Sequence, residues 1–193
     1  MLARTLFAVC LAIGIGPTKA QDDPYAGVRD QLATCFGCHG EDGVPADPQY
    51  PILAGQEFYY LYVQLRDYQS GLRENAVMQP MVAGLDKEQM KSLAQYFSEL
   101  SWPEPPREEV SAHDERVAKQ AISAGQCSAC HPSGLRGDSR IPRVAGQYAQ
   151  YLQQTMLNFK NRVRNNAPDI STLMETLSDE EIASLARYAA SLP

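Results

Sequence analysis

The sequence contains few of the residues that build disulfide frameworks or histidine-based active sites. Of its 193 residues, five are cysteine, three are histidine and one is tryptophan. Cys10 lies in an apolar stretch near the start of the chain, whereas the other four cysteines form two close pairs, each followed at once by a histidine. This pattern leaves no cysteine for a disulfide and only His113 outside the pairs. A catalytic site that depends on histidine is therefore not indicated, and we expect His113 to be a solvated linker residue.

A bilayer-spanning segment is also missing from the start of the chain. The apolar run from Leu6 to Ile15 is shorter than the ~20 residues that a transmembrane helix needs. Arg4 precedes this run, and a sequence of mostly small residues that ends at Ala20 follows it. A basic start, a short apolar centre and a small-residue end are typical of a secretory signal peptide. Residues 1–20 are thus predicted to be a signal peptide, which places the protein in the periplasm.

Two copies of one five-residue motif carry the strongest functional signal. They are Cys35-Phe36-Gly37-Cys38-His39 and Cys127-Ser128-Ala129-Cys130-His131. C-x-x-C-H is the attachment signature of c-type haem. Each thiol adds across one haem vinyl group, and the histidine comes to lie under the iron. The sequence therefore predicts two covalently bound haem c groups, with attachment at Cys35, Cys38, Cys127 and Cys130 and proximal iron ligation by His39 and His131.

A proline follows each of these motifs after a short loop, at Pro51 and at Pro142. A histidine that ligates a metal usually donates its second ring N–H to a carbonyl or carboxylate. Either the two prolines hold such a carbonyl against the proximal histidine, or they only punctuate a loop.

The two motifs belong to a longer internal repeat. Cys35 and Cys127 are 92 positions apart, and the same offset relates the segments 85–96 and 177–188. The Pro-x-x-Ala-Gly-Gln segments at 51–56 and 142–147 also correspond, with a slip of one residue. A repeat of this length indicates two homologous domains in tandem. We predict domains at 21–100 and 113–193, joined by a proline-rich linker at 101–112.

Each half is predicted to consist of helices and loops. Apolar residues at helical spacing and capping signals predict helices at 25–34, 57–69 and 86–100, and at 113–124, 148–160 and 178–192. Ser178 followed by Glu181 forms a capping box at the start of the last helix. Since each half has too little apolar sequence for a good core at its size, we expect the porphyrin to form the centre of each domain.

Methionine is the expected sixth iron ligand, because a soft thioether favours ferrous iron and a high potential. In the first half Met78 and Met81 lie in a stretch that resembles a loop, and we prefer Met78, with Met81 as the alternative. In the second half the residue at the position of Met78 is Ile170, and we predict Met174 as the ligand. The alternative is that Met174 only packs against the last helix and the second iron is five-coordinate or otherwise ligated. Met156 is expected to fill the core.

These residues resemble a known family, the periplasmic dihaem class I cytochromes c of the cytochrome c4 type. The resemblance covers nearly all of the chain after residue 20. It is carried by the two C-x-x-C-H motifs, Cys38-His39-Gly40-Glu41-Asp42-Gly43, the Pro-x-x-Ala-Gly-Gln segments, Gly71-Leu72-Arg73-Glu74-Asn75 and the Leu-x-x-x-x-x-x-Leu-Ala-x-Tyr helices. The cytochrome subunits of flavocytochrome sulfide dehydrogenase and the dihaem acceptors of thiosulfate oxidation are similar as well.

The resemblance implies an all-α protein with two tandem class I cytochrome c domains, each wrapped around one covalently attached haem. It implies a pseudo-twofold axis between the domains, with the haem edges facing each other across their interface. It also implies His/Met ligation of both irons and electron delivery to a respiratory terminal oxidase. Met78 occupies the family's ligand position, whereas the loop before Met174 departs from the family pattern.

Three functions are compatible with this pattern. The first is a free electron carrier that passes electrons to a terminal oxidase or a similar acceptor. The second is a dihaem subunit that accepts electrons from a dehydrogenase acting on sulfide, thiosulfate or an alcohol. The third is a haem enzyme with an open second iron, although no distal set for peroxide cleavage is visible and Arg162 and Arg164 could reach haem propionates instead.

Charge narrows the class of partner. The formal net charge is −6, and loss of residues 1–20 would make it more negative because it removes Arg4 and Lys19. An acidic protein does not seek nucleic acid, but it suits the basic docking face of another redox protein. We therefore expect a monomer that meets redox protein partners, with at most a peripheral or transient association with the membrane.

Overall fold

The structure is a computed structural model that describes residues 23–104 and 109–193. The predicted signal peptide at 1–20 and part of the predicted linker lie outside these residues. The described chain is helical, with one isolated β-bridge between Asp138 and Ile141, which confirms the all-α prediction. Among the described helices, none is long and apolar enough to cross a membrane.

The described part of the first half contains four α-helices. A 3₁₀ turn at Ala26–Val28 leads into α1, and the helices are α1 (Arg29–His39), α2 (Phe58–Ser70), α3 (Met78–Val82) and α4 (Lys87–Glu99). The second half repeats this order with more interruptions. Its helices are α5 (Ala112–Ala124), α6 (Cys127–Cys130), α7 (Pro132–Leu135), α8 (Ala149–Lys160), α9 (Pro168–Glu175) and α10 (Asp179–Ser191).

The closing helix of each half begins at a capping box. In α4 the Asp86 side chain accepts from the Gln89 backbone, and the Gln89 side chain accepts in return from the Asp86 backbone. Ser178 and Glu181 make the same exchange at the start of α10, as predicted. Two backbone donors are satisfied at each helix start, which fixes where the helices begin.

The buried apolar residues form separate clusters in the two halves of the repeat. The first half has one apolar cluster, built on Val28, Leu32, Leu61, Leu93, Ala94 and Phe97. The second half has two smaller ones, in which Met156 packs against both as predicted for a core residue. Each half therefore has apolar packing of its own, and in the first half Cys35 and Phe36 of the haem-attachment motif pack against it.

Some predicted boundaries were wrong. The stretch that resembled a loop around Met78 is the start of α3, because the Asn75 side chain accepts from the backbone N–H groups of Val77 and Met78 and nucleates a turn. The unpredicted α9 begins at Pro168, whose fixed φ suits a first helical position. His113 lies on α5 rather than in a linker, although it is exposed as expected, beside Glu180.

Candidate haem sites

The proximal histidines are held in the same way in both halves. His39 ends α1, and its Nδ1 lies 3.1 Å from the carbonyl oxygen of Pro51. In the second half the Nδ1 of His131 lies 3.0 Å from the carbonyl oxygen of Pro142. Because a carbonyl oxygen can only accept, each Nδ1 donates and each Nε2 keeps a free lone pair. Of the two alternatives for the prolines, the structure shows the one in which they hold a carbonyl against the proximal histidine. Burial lowers the pKa of both imidazoles.

One glycine lets the Pro51 loop approach the end of α1. Gly43 has a φ of 73°, and a Cβ there would lie 2.8 Å from the backbone nitrogen of Ala54. The carbonyl of Gly43 accepts from the backbone N–H groups of Leu53 and Ala54 at 2.9 and 3.2 Å. Only glycine combines this conformation with so close an approach. The loop that carries the Pro51 carbonyl is thereby fixed beside His39.

The backbone conformation around the cysteines differs between the two motifs. Cys35 and Cys38 lie within α1, which continues to His39. In the second half α5 stops at Ala124, Gln126 adopts a φ of 50°, and the short α6 holds Cys127 and Cys130. None of the four described cysteines forms a disulfide. Each motif therefore offers two thiols and one imidazole with a free Nε2, the set that covalent haem attachment requires.

The candidate methionine ligands differ in exposure. Met78 is half-buried at the start of α3, whereas Met81 has 47% of its surface exposed. Met174 lies in α9 and is 6% exposed. Burial thus distinguishes Met78 from Met81 and places Met174 in the interior of the second half.

Two buried arginines bridge the halves. Arg73 and Arg164 are 91 positions apart in the repeat, as are Tyr60 and Tyr151. Arg73 donates to the Tyr151 hydroxyl at 3.2 Å, and Arg164 donates to the Tyr60 hydroxyl at 3.5 Å. Both guanidinium groups also donate to Oε1 of Gln64 at 2.8 Å. Each arginine therefore reaches the tyrosine of the opposite half.

The charge of these two arginines is not balanced by a carboxylate among the residues that the structure describes. Within the described part of the chain, no carboxylate forms an ion pair with Arg73 or Arg164, although both are less than a tenth exposed. Burial alone raises the pKa of the Tyr151 phenol, but the two guanidinium groups more than offset it and lower the pKa below its ordinary value. A buried cation needs a compensating charge. The carboxylates of haem propionates would supply it, so the residues present fit the group, and Arg73 and Arg164 would be the ones to hold these carboxylates.

Of the arginine pair, only Arg164 was expected to reach a haem propionate, together with Arg162. Arg162 instead pairs with Glu175 at the surface at 2.6 Å. Arg73 was missed, although its position 91 residues before Arg164 in the repeat could have identified it.

Known proteins resemble most of this chain in sequence and in fold. The chain is 33% identical to cytochrome c4 of Thiocapsa roseopersicina, over 86% of its own length and 91% of that protein. The chain belongs to the cytochrome c4 family. A solved structure of reduced cytochrome c4 from Pseudomonas stutzeri matches with a TM-score of 0.75 and 25% identity, over 85% of this chain and 96% of that one. The chain is also 31% identical to a thiosulfate dehydrogenase electron acceptor of Stutzerimonas stutzeri, over 86% of its length and 82% of the relative. No family model matches.

Membership of the cytochrome c4 family settles three predictions. The halves have the class I cytochrome c fold, the chain carries two covalently bound haem c groups, and the protein transfers electrons. The cytochrome c4 relatives are electron carriers.

Proposed function

We propose that this protein is a periplasmic carrier that takes up an electron at one haem, passes it across the domain interface and delivers it to a terminal oxidase or a similar redox protein. The observation that supports this most is the equivalence of the two proximal sites, since the same histidine–carbonyl pair occurs on both sides of one interface. Two matched haem sites that share a buried arginine pair suit a relay through the protein.

The test follows oxidation of the fully reduced holoprotein by respiratory membranes in a stopped-flow spectrometer. We expect both haems to be oxidised, and the rate to fall with rising salt because an acidic carrier is steered to a basic face. Membranes with the oxidase inhibited are the control. Oxidation of only one haem, or none, would contradict a relay.

We propose that the iron ligands are His39 and Met78 in the first domain and His131 and Met174 in the second. The covalent attachments are Cys35 and Cys38, and Cys127 and Cys130. Burial supports both methionines, as Met174 is 6% exposed and Met78 is better covered than Met81. The test measures the weak thioether-to-ferric charge-transfer band against haem content. Intensity for two His/Met haems is expected, and half that intensity would mean that one of the two irons has no methionine ligand.

A filled sixth position on both irons also bears on enzyme activity. Carbon monoxide added to the reduced native protein should leave both haem spectra unchanged. Binding at one haem would show an open coordination position on its iron and would support peroxidase-like or gas-binding chemistry there.

The domain and export assignments are proposals as well. We divide the chain into a signal peptide at 1–20, domains at 21–100 and 113–193 and a linker at 101–112. The start of α5 at Ala112, capped by the Ser111 side chain, supports a second domain that begins near this point. N-terminal sequencing of the exported protein should begin at Gln21.

A second candidate function is favoured by one comparison. The 31% identity to a thiosulfate dehydrogenase electron acceptor supports a role as the electron-accepting partner of a dehydrogenase. Gel filtration distinguishes the two proposals, because a free carrier should elute as a monomer and an accepting subunit should co-elute with its dehydrogenase.

A further inference from the structure

Two glutamines cross the interface between the halves in a reciprocal arrangement. Gln147 accepts from the backbone N–H of Ile52 at 2.9 Å and donates to the carbonyl of Ile52 at 3.0 Å. Gln56 accepts from the backbone N–H of Arg143 at 2.8 Å and donates to the carbonyl of Arg143 at 2.9 Å. The glutamines are 91 positions apart, as are the two residues that they bind. The repeat thus generates the same contact twice.

Each glutamine amide has a defined orientation. The Oε1 of Gln147 also accepts from the backbone N–H of Tyr148 at 3.0 Å, and that of Gln56 accepts from the backbone N–H of Glu57 at 3.0 Å. With two N–H donors aimed at one atom, that atom must be the oxygen. The side chains are 2% and 4% exposed, so these hydrogen bonds form away from water.

The bound peptide groups are the ones that hold the proximal histidines. The N–H of Ile52 and the C=O of Pro51 belong to one peptide group, and that C=O accepts from Nδ1 of His39. A continuous chain of hydrogen bonds therefore runs from the first-domain imidazole through this peptide to Gln147. The mirror chain runs from His131 through the peptide between Pro142 and Arg143 to Gln56.

Hydrogen bonds in such a chain polarise one another. An acceptor on the N–H side of a peptide makes its carbonyl oxygen more negative and a better acceptor. A stronger bond from Nδ1 makes the imidazole a more basic ligand and favours ferric iron. Second-shell hydrogen bonding is one of the means by which a protein sets a haem potential.

We propose that Gln147 and Gln56 are positioning residues, each of which lowers the reduction potential of the haem in the opposite domain through the peptide that holds the proximal histidine. Docking of the two domains and the potential of each haem are then coupled by the same two side chains.

The test compares Gln147→Leu and Gln56→Leu in the full holoprotein, with haem potentials measured by titration and assigned to domains by NMR of the haem methyl groups. Gln147→Leu should raise the potential of the His39 haem, seen as a several-fold higher reduced-to-oxidised ratio at a fixed ambient potential, and leave the His131 haem unmoved. Gln56→Leu should do the reverse. Gln49→Leu is the control, because Gln49 is exposed and its hydrogen bonds to Asp47 stay within its own loop.

Two further measurements separate tuning from a merely structural role. Amide exchange at Ile52 should accelerate in Gln147→Leu, which reports loss of the bond itself. Gln147→Glu retains an acceptor for the Ile52 N–H and should restore the low potential. A potential shift in the domain that carries the substitution, an equal shift in both haems, or faster exchange with no shift would each overturn the proposal.

Discussion

Different interactions stabilise the two halves around their haem-attachment motifs. In the first half, aromatic rings pack behind the motif. Phe36 lies inside the motif, and its ring centroid is 5.7 Å from that of Tyr96 and 6.3 Å from that of Phe97. Tyr25 packs edge-on against Tyr96 at 5.1 Å. The first motif is therefore held to α4 mainly by apolar burial.

The second half has lost most of these rings. Ser128 stands at the position of Phe36 and Ala189 at that of Phe97. A cavity of about 640 Å³ opens there, with Ser128, Ile122, Tyr188 and Leu192 among its lining residues. In place of aromatic packing, Asp114 of α5 accepts from Arg187 of α10 at 2.5 and 3.0 Å and from Ser184 at 2.8 Å.

The comparison shows that a repeated sequence can keep a backbone frame while its stabilising interactions change. Apolar burial depends little on pH, whereas the Asp114 cluster depends on an ionised carboxylate. We therefore expect the two halves to respond differently to substitution and to acid.

The largest effect is expected from removing the methionine ligands, which tests whether both irons are ligated in the same way although different interactions stabilise the two halves. Met78→Ala and Met174→Ala should each lower the potential of their own haem by on the order of tenths of a volt, within the ~0.8 V range that axial ligands span. Loss of the thioether removes the preference for ferrous iron. Potentiometric titration of the holoprotein measures both haems.

Met81→Ala is the matched control and should leave both potentials unchanged, because Met81 is exposed. If Met78→Ala left its haem unmoved, Met81 would become the candidate. If the potential of the second haem did not change in Met174→Ala, the halves would differ in iron ligation as well as in the interactions that stabilise them.

Much of this arrangement follows from local sequence. The C-x-x-C-H motifs identify the haem sites, and Ser178 with Glu181 marks the start of α10 because a capping box is a contact between near neighbours. The Pro51 and Pro142 carbonyls could be expected because a ligating histidine needs a second-shell acceptor. Such features involve residues separated by a short loop or less.

Contacts between the halves could not be predicted in this way. The bonds of Gln147 to Ile52 join residues that are 95 positions apart, and nothing in either segment indicates its partner. The helix at Met78 was missed because its nucleus is a single Asn75 side chain rather than an apolar period. The Asp114–Arg187 pair likewise depends on how α5 and α10 pack.

A second test removes the aromatic support from the first half. Phe97→Ala should lower the free energy of unfolding by about 3–5 kcal/mol, because it leaves a cavity under a ring that is 4% exposed. Denaturant unfolding measures the loss, and Tyr59→Ala, at a side chain 54% exposed, is the control. A loss as small as that of the control would show that the rings do not hold the first half together.

A third test uses pH to probe the polar support in the second half. Hydrogen bonds from Arg187, Ser184 and Ser111 hold the pKa of Asp114 well below its usual 3.8. A lowered pKa in the folded state means that the stabilisation is complete above pH 3.8 and is lost as the pH falls toward the folded pKa. Asp114→Asn should therefore lower the thermal midpoint at pH 7, and its difference from the parent should narrow in acid.

The matched comparison is Phe97→Ala, whose loss of stability should stay the same across this pH range. An Asp114→Asn deficit that is equally large at neutral and acid pH would contradict an electrostatic origin for the second half's support.

The smallest effect is expected from restoring the missing ring. Ser128→Phe places an aromatic side chain where the first half has Phe36, at the wall of the cavity. Because Ser128 is exposed and the cavity is open to solvent, we expect a gain of about 1 kcal/mol, less than the ~1.5–3 kcal/mol of a fully buried ring. Denaturant unfolding measures the gain, and Ser101→Phe, at an exposed position that does not line this cavity, should give none. A loss of stability in Ser128→Phe would show that the second half, packed around the Asp114 cluster, cannot accommodate an aromatic ring at this position.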